Sequence, residues 1–388
     1  MQPDHTCDVL VCGGGIAGIA AALEAARAGM RTVLLEKTVL LGGLATAGLI
    51  WAFPPLCDAS GTQVMAGIVE ELYRLSYRYG PGEPKQHPVG RDWVIFSPAS
   101  LVLALDEVLL AAGVEIWLDT LVCEPVTAGD RVCGVEAETK AGRVTFRAQV
   151  VIDATGDADI AFRSGAACVP ASNLLAMWAL EASVERASQV AESGDGAALL
   201  DMLLLGVPLP DRARWAAEKT WTGLDAPSVT AFVLEGRRLL RERYAAGSAP
   251  ADRYPITLPA MAQFRTTRRV VGRTTISDSD RGRRQPDSVG VVSDWRELDQ
   301  LWEFPYGALI PERIGGLLVA GRCLAAEEEA WEVMRVIAPV ALSGQAAGLG
   351  AALAVRGGVS PGSVSAEAMQ RELTARGISF RLDGRPTD

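Results

Sequence analysis

Cys7-Asp8-Val9-Leu10-Val11-Cys12-Gly13-Gly14-Gly15-Ile16-Ala17-Gly18 opens the readable part of the chain, and Thr32-Val33-Leu34-Leu35-Glu36-Lys37 follows it. The run Cys7 to Cys12 is short and mostly apolar, as expected of a buried strand. Ile16 to Ala28 is rich in alanine and reads as a helix, with Gly29 placed as its C-terminal cap. Thr32 to Leu35 reads as a second buried strand, so residues 7–36 form one βαβ unit. Gly13, Gly15 and Gly18 have the spacing G-x-G-x-x-G, and they lie between a strand and a helix, the context that gives the motif meaning. Gly13 permits the tight turn, Gly15 lets backbone approach a diphosphate, and Gly18 lets helix and strand pack closely. The helix N-terminus at Ile16 and Ala17 adds free N–H groups and a positive dipole end. Glu36 ends the second strand, where a carboxylate accepts hydrogen bonds from ribose hydroxyls and repels a 2′-phosphate.

Outward from this unit, Ser97-Pro98 reads as an N-cap followed by proline at the first helical position. Leu101, Leu105, Val108, Leu109 and Ala112 then mark one helical face, closed by Gly113, and Val114–Leu118 reads as a strand. Leu121–Val126, Arg131–Thr139 and Arg143–Ala148 form an antiparallel meander, with turns at Gly129-Asp130 and Ala141-Gly142. Val150–Ala154 is a further buried strand ending in Thr155-Gly156-Asp157. Residues 166–304 lose the parallel-strand pattern and are rich in arginine and tryptophan, with helices expected near 173–205 and 227–246. Strand character returns at Gly316–Ala320, and a small-residue helix is expected near 337–356. The fold class is therefore α/β. A glutathione-reductase-like, Rossmann-type nucleotide domain spans 1–165 and 305–388, and 166–304 forms a second, mixed α+β substrate or cap domain.

The 388 residues carry 49 % apolar and 22 % charged side chains and a net charge of −10. This is the composition of a globular protein and disfavours a nucleic-acid partner. Seven cysteines without a C-x-x-C pair and two histidines, His5 and His87, give no sequence-local metal site. The scattered cysteines suit a reducing cytoplasm. The opening residues carry no basic segment of the signal-peptide kind. Thr38–Cys57 and Val336–Val355 lack charge, but glycines and prolines in the first, and Pro339, Ser343 and Gln345 in the second, read as buried segments near a cofactor rather than membrane spans. A small-molecule substrate is expected, and an oligomer is compatible with the sequence.

Three features suit a long, extended cofactor such as FAD better than NAD. Gly42-Gly43 can bring a second backbone segment to the diphosphate. The meander precedes the Thr155-Gly156-Asp157 turn. The strand Leu317-Leu318-Val319-Ala320 runs into Gly321-Arg322 and a small-residue helix. On these and further stretches the chain resembles the FAD-dependent oxidoreductases related to the flavin subunits of fumarate reductase and heterodisulfide reductase. The further stretches are Leu41-Gly42-Gly43-Leu44-Ala45-Thr46, Pro55-Leu56-Cys57-Asp58, Arg268-Arg269-Val270-Val271-Gly272, Phe304-Pro305-Tyr306, Val319-Ala320-Gly321-Arg322-Cys323 and Gly344-Gln345-Ala346-Ala347-Gly348. The resemblance implies FAD contacts from Gly13, Gly15, Gly18, Glu36, Lys37, Gly43, Thr46, Val122, Thr155, Gly156, Gly321 and Arg322. Ile16, Ala17, Gly42, Leu44, Ala154 and Gly344 join the expected cofactor set. It also implies that the last helix points its N-terminus at the flavin pyrimidine edge. Where such sequences carry a histidine after the Gly-Arg-Cys stretch, Glu328 stands here; separately, no histidine follows Leu41 until His87 to form the histidyl bond of the fumarate reductase relatives, so noncovalent FAD is expected.

Candidate catalytic residues follow. Arg335, just before the last helix, can hold a carboxylate or carbonyl of the substrate, or pair with one of Glu327 to Glu329. Glu328 can act as a general base if buried beside the flavin, or lie in a solvated acidic run. Tyr306 and Trp331 can wall the isoalloxazine or pack in the core. Arg265, Arg268 and Arg273 can line the pocket or bridge the two domains, and bridging is the favoured reading; Cys57 can be a redox thiol, but no second cysteine lies near it in sequence. The activity expected is removal of a hydride from a small organic substrate, by amine or alcohol oxidation or desaturation. The alternative is a flavin electron-transfer subunit of a larger redox complex.

Overall fold

The computed structural model describes residues 4–80, 93–194, 196–199, 201–206, 219–245 and 252–382. His87 and the residues after 382 lie outside the described residues. The strand His5–Cys12 is central, and Val9 to Cys12 are fully buried because helices cover one face of the sheet and the chain folds over the other. It lies parallel to Thr32–Leu35, which lies parallel to Glu115–Trp117. On its other side it pairs in parallel with Gly142–Asp153.

That last strand corrects the sequence reading, which separated Arg143–Ala148 from Val150–Ala154. Gly142–Asp153 is one strand of 12 residues with two environments. Its first half alternates in burial and pairs antiparallel with Arg131–Thr139, with Glu136 opposite Thr145. Its second half is buried on both faces, and Leu317–Val319 joins it in parallel, with Leu317 opposite Val151. No turn residue interrupts 148–150, so the chain has no reason to break there. With Leu121–Ala128 at the meander edge, the sheet has seven strands.

The helices Ile16–Arg27 and Ile337–Gly357 lie side by side. A Cβ at Gly344 would sit 2.1 Å from the Ala17 carbonyl oxygen, and one at Gly348 2.5 Å from that of Ala21. The second helix is apolar enough to span a bilayer by length and composition, with mean hydropathy 1.4, yet its apolar window is 94 % buried inside the protein. It is the core helix of the nucleotide unit.

The helix expected over 173–205 is mostly sheet. Ala176–Ser183 is the middle strand of an antiparallel trio with Asp201–Gly206 and Arg253–Thr257, and among the described residues of this stretch Val184–Ser193 is α-helical and Gly196–Leu199 a short 3-10 turn. Alanine and leucine favour helix, but alternation decides the outcome here. Met177 and Ala179 pack with Leu203 and Leu240, whereas Leu180 and Trp178 turn to the main core. The Ser183 hydroxyl accepts from the Arg186 N–H and starts the short helix. The second expected helix spans Ala226–Tyr244, capped by Asp225. Two small clusters, one around Leu175, Trp221, Phe232 and Phe264 and one around Met177, Ala179, Leu203 and Leu240, pack apart from the main core, which takes in Val270, Ile276, Val291, Trp302 and Phe304.

Candidate functional site

The carboxyl ends of the parallel strands open into a cavity of about 340 Å³ that continues beneath the cap. At its floor, Gly13 donates its N–H to the Leu35 carbonyl and holds φ +110°, with the Ala154 carbonyl 2.4 Å from where a Cβ would stand. Gly15 is extended, and a Cβ there would meet nothing within 4 Å. The space above it belongs to the cavity. The helix that follows has no side-chain cap, so its first N–H groups lack a protein partner. Gly42 donates to the Gly14 carbonyl at 2.8 Å, which brings Gly43 and Leu44 to the same floor. This is a cradle for a diphosphate.

Glu36 lines the cavity beside Lys37 and Thr38. Its carboxylate accepts from the Gly14 N–H at 2.7 Å and from the Thr38 N–H and hydroxyl at 2.8 and 2.9 Å. These three bonds fix its direction and leave lone-pair capacity for a ribose hydroxyl. Ala154, Thr155 and Gly156 line the next stretch, with Val122 across from them. Asp153 holds that turn from below: fully buried, it accepts from the Thr155 N–H and hydroxyl and from the Ile160 and Ala161 N–H groups. Burial nonetheless pushes its carboxyl pKa up. Arg322 lies over Gly156, is paired with Asp157, and leaves its buried Nε without a partner.

Further along, Gly321, Val336, Ile337 and Val340 line the cavity. The helix Ile337–Gly357 starts there without a side-chain cap, and Pro339 has no N–H to orphan. The N–H groups of Ile337 and Ala338 thus form a second positive end. Residues from the cap complete the enclosure: Trp178, Met261 and Arg265, with Trp93 and Trp295. The last two rings meet edge to face at 5.7 Å.

Most of the expected cofactor residues share this cavity, and three do not. Gly18 packs helix on strand, its would-be Cβ 1.9 Å from the Gly13 oxygen. The Thr46 hydroxyl is buried and donates to the Leu41 carbonyl. Gly344 serves the helix contact with Ala17. Two catalytic candidates are also displaced. Glu328 is exposed at the start of the helix Glu328–Met334, with φ +52°, and does not reach the cavity. The Tyr306 hydroxyl donates to the Pro361 carbonyl at 3.1 Å inside the core, and burial pushes its pKa up. Trp331 likewise packs in the core, its indole donating to the Arg322 carbonyl.

Arg335 does line the cavity, but its partner is Glu332 rather than any of Glu327 to Glu329. Glu327 is paired with Arg269 and Glu329 with Arg296. Arg268 bridges back to Asp159 at 2.9 Å, as expected, and Arg273 reaches the Gly362 carbonyl. Arg265 takes the other role open to it and lines the cavity. The sequence reading missed the cavity roles of Trp93, Trp178, Trp295, Met261, Thr38 and Arg163. Trp178, Met261 and Trp295 come from the segment 166–304, far from the glycine turn in sequence, and Trp93, Thr38 and Arg163 carry no motif that marks them.

A glycine turn opening an uncapped helix, an acid after the second strand and a second helix end facing the same elongated cavity define a Rossmann-type dinucleotide-binding protein. The model of the FAD dependent oxidoreductase family matches residues 8–173 and 221–373. The chain belongs to that family, and its cofactor is FAD. Among curated proteins, thioredoxin reductase of Bacillus subtilis (strain 168) is 24 % identical over 115 residues, which is 30 % of this chain and 36 % of that protein. Digeranylgeranylglycerophospholipid reductase of Thermoplasma volcanium is 28 % identical over 159 residues, 39 % of this chain and 40 % of that protein. The matches thus span well under half of these relatives' own lengths. A geranylgeranyl bacteriochlorophyll reductase-like protein from Thermoplasma acidophilum shares the fold with a TM-score of 0.51 and 15 % identity, over 96 % of this chain and 84 % of that one. The open space over Gly15, the uncapped helix ends and the orphaned Arg322 Nε fit FAD.

Proposed function

We propose that the protein is an FAD-dependent dehydrogenase or oxidase that removes a hydride from a small organic substrate lodged between the cap and the start of the helix Ile337–Gly357. When bound, FAD supplies the two-electron acceptor. One observation carries the reading: a single cavity runs from the glycine turn to Trp178, Met261 and Arg265 of the cap. The chain's own groups then position and shelter the substrate. Arg335, held by Glu332, is oriented to bind an oxygen of the substrate. The tryptophans exclude water from the reacting carbon. The free N–H groups at Ile337 and Ala338 favour negative charge at the cofactor edge they face.

The layout is glutathione-reductase-like, with the fumarate reductase flavin subunits as its relatives, and FAD is held without a covalent bond. Among the described residues no histidine, cysteine or tyrosine lines the cavity to form one. The seven cysteines, none in a disulfide among the described residues, suit a cytoplasmic protein. Anaerobic mixing of the flavin-loaded protein with panels of alcohols, amines and saturated acids tests the reading. Bleaching of the visible flavin bands by one class is expected. Bleaching only by external reductants would instead favour the electron-transfer subunit.

A further inference from the structure

We infer that the substrate is an anion, a carboxylate on a ring or other apolar body, and that Arg265 is the residue that selects it. The inference rests on the reading of this cavity as the substrate chamber. The guanidinium of Arg265 lines the cavity and makes no hydrogen bond or ion pair among the described residues. Glu332, whose field it feels, is bonded to Arg335. Arg265 and Arg335 are the charged side chains that line this end of the chamber, and Arg335 is the one paired with Glu332. Burial and the nearby Arg335 push the Arg265 pKa down to about 10, so it remains charged at neutral pH. A charge so placed calls for a counter-ion.

The rest of the lining points the same way. The indole N–H groups of Trp178 and Trp295 are buried and without acceptors. The acidic side chains that line the cavity are Glu36 and Asp159, both at the nucleotide end. Glu36 is taken up by Gly14 and Thr38, and Asp159 by Arg268. The cap end therefore offers donors without acidic acceptors. A carboxylate can pair with Arg265, and an ammonium group would find no carboxylate there. The diphosphate of FAD is not the missing partner, because Lys37, Arg163 and Arg322 line its own end of the cavity. Trp93, Trp178, Trp295 and Met261 supply an apolar, largely aromatic wall for the body of the molecule. Among the reactions considered, amine oxidation is the one this chamber disfavours.

The test uses full-length, flavin-loaded protein and four probes: benzoate, cyclohexanecarboxylate, benzyl alcohol and benzylamine. Binding is read from perturbation of the bound flavin spectrum and from quenching of tryptophan fluorescence. The two carboxylates are expected to bind at least tenfold tighter than the alcohol, and the amine not at all. Arg265→Met is expected to weaken carboxylate binding at least tenfold with flavin content unchanged, and Arg265→Lys to restore part of it. Benzylamine binding as tightly as benzoate, carboxylates failing to bind, or Arg265→Met binding benzoate like wild type would overturn the inference. Loss of FAD from a folded Arg265→Met would also overturn it, by assigning the guanidinium to the cofactor. If wild type carries no FAD, the functional reading itself fails. If it carries FAD and shows no preference for carboxylates, only this inference does. The wild-type probe comparison stands even if the Met variant does not fold.

Discussion

At the scale of single residues, two glycines two positions apart have opposite sensitivities. Gly13 combines φ +110° with a backbone oxygen 2.4 Å from a would-be Cβ, so any side chain strains the fold itself. Gly15 has ordinary backbone angles and open space above it. Gly13→Ala is expected to lower stability by about 2–3 kcal/mol in denaturant unfolding. Gly15→Val should leave the flavin-free protein within about 0.5 kcal/mol of wild type, because its side chain meets only the cavity. The glycine turn, Glu36 and the Gly42-Gly43 pair were legible in the sequence because each works through local backbone geometry. Glu328 and Tyr306 were not, since their distance from the cavity depends on how the helix Glu328–Met334 and the segment Tyr306–Leu309 pack. Arg265 and Trp178 lie far from the motif in sequence, and only the folded cap brings them over it.

At the scale of elements, the site depends on where the helix Ile337–Gly357 begins, and Gly344 sets how closely that helix approaches Ile16–Arg27. Gly344→Ala would drive a methyl into the Ala17 carbonyl and is expected to cost about 1–3 kcal/mol, read as a fall in Tm. In the cap, Glu181 ties the strand Ala176–Ser183 to its neighbours. Burial raises the pKa of its carboxyl, but bonds from Arg243, Tyr244 and Arg253 outweigh that and leave it below the usual carboxylate range. A lowered folded-state pKa contributes stability that is present above the unfolded value and is lost as pH falls through the folded one. Glu181→Gln should therefore destabilise the protein by about 1–2 kcal/mol at pH 7. The deficit should shrink as the wild type is acidified below about pH 4. Thermal unfolding of both proteins across that range measures it. The cap strands escaped the sequence reading because Ala-Met-Trp-Ala-Leu-Glu-Ala has helix-forming residues in a strand alternation. The merged strand Gly142–Asp153 escaped it because one backbone run changes from half-exposed to doubly buried without a turn.

At the scale of the whole molecule, one ligand joins the parts. The opening turn, the meander edge, the Thr155-Gly156 turn and the start of the last helix all line the cavity, so FAD bound there would stabilise the assembly as a unit. A hundredfold excess of FAD over its Kd should stabilise the flavin-free protein by about 2.7 kcal/mol, with a concentration-dependent rise in Tm. NAD should give no comparable rise. The central claim is that FAD lies across this cavity with its diphosphate over Gly15. Flavin content after FAD loading and desalting tests it most directly, read from the visible spectrum of wild type and Gly15→Val together. The account predicts one flavin per wild-type chain and none on the folded variant. A colourless wild type, or a fully loaded variant, would contradict it.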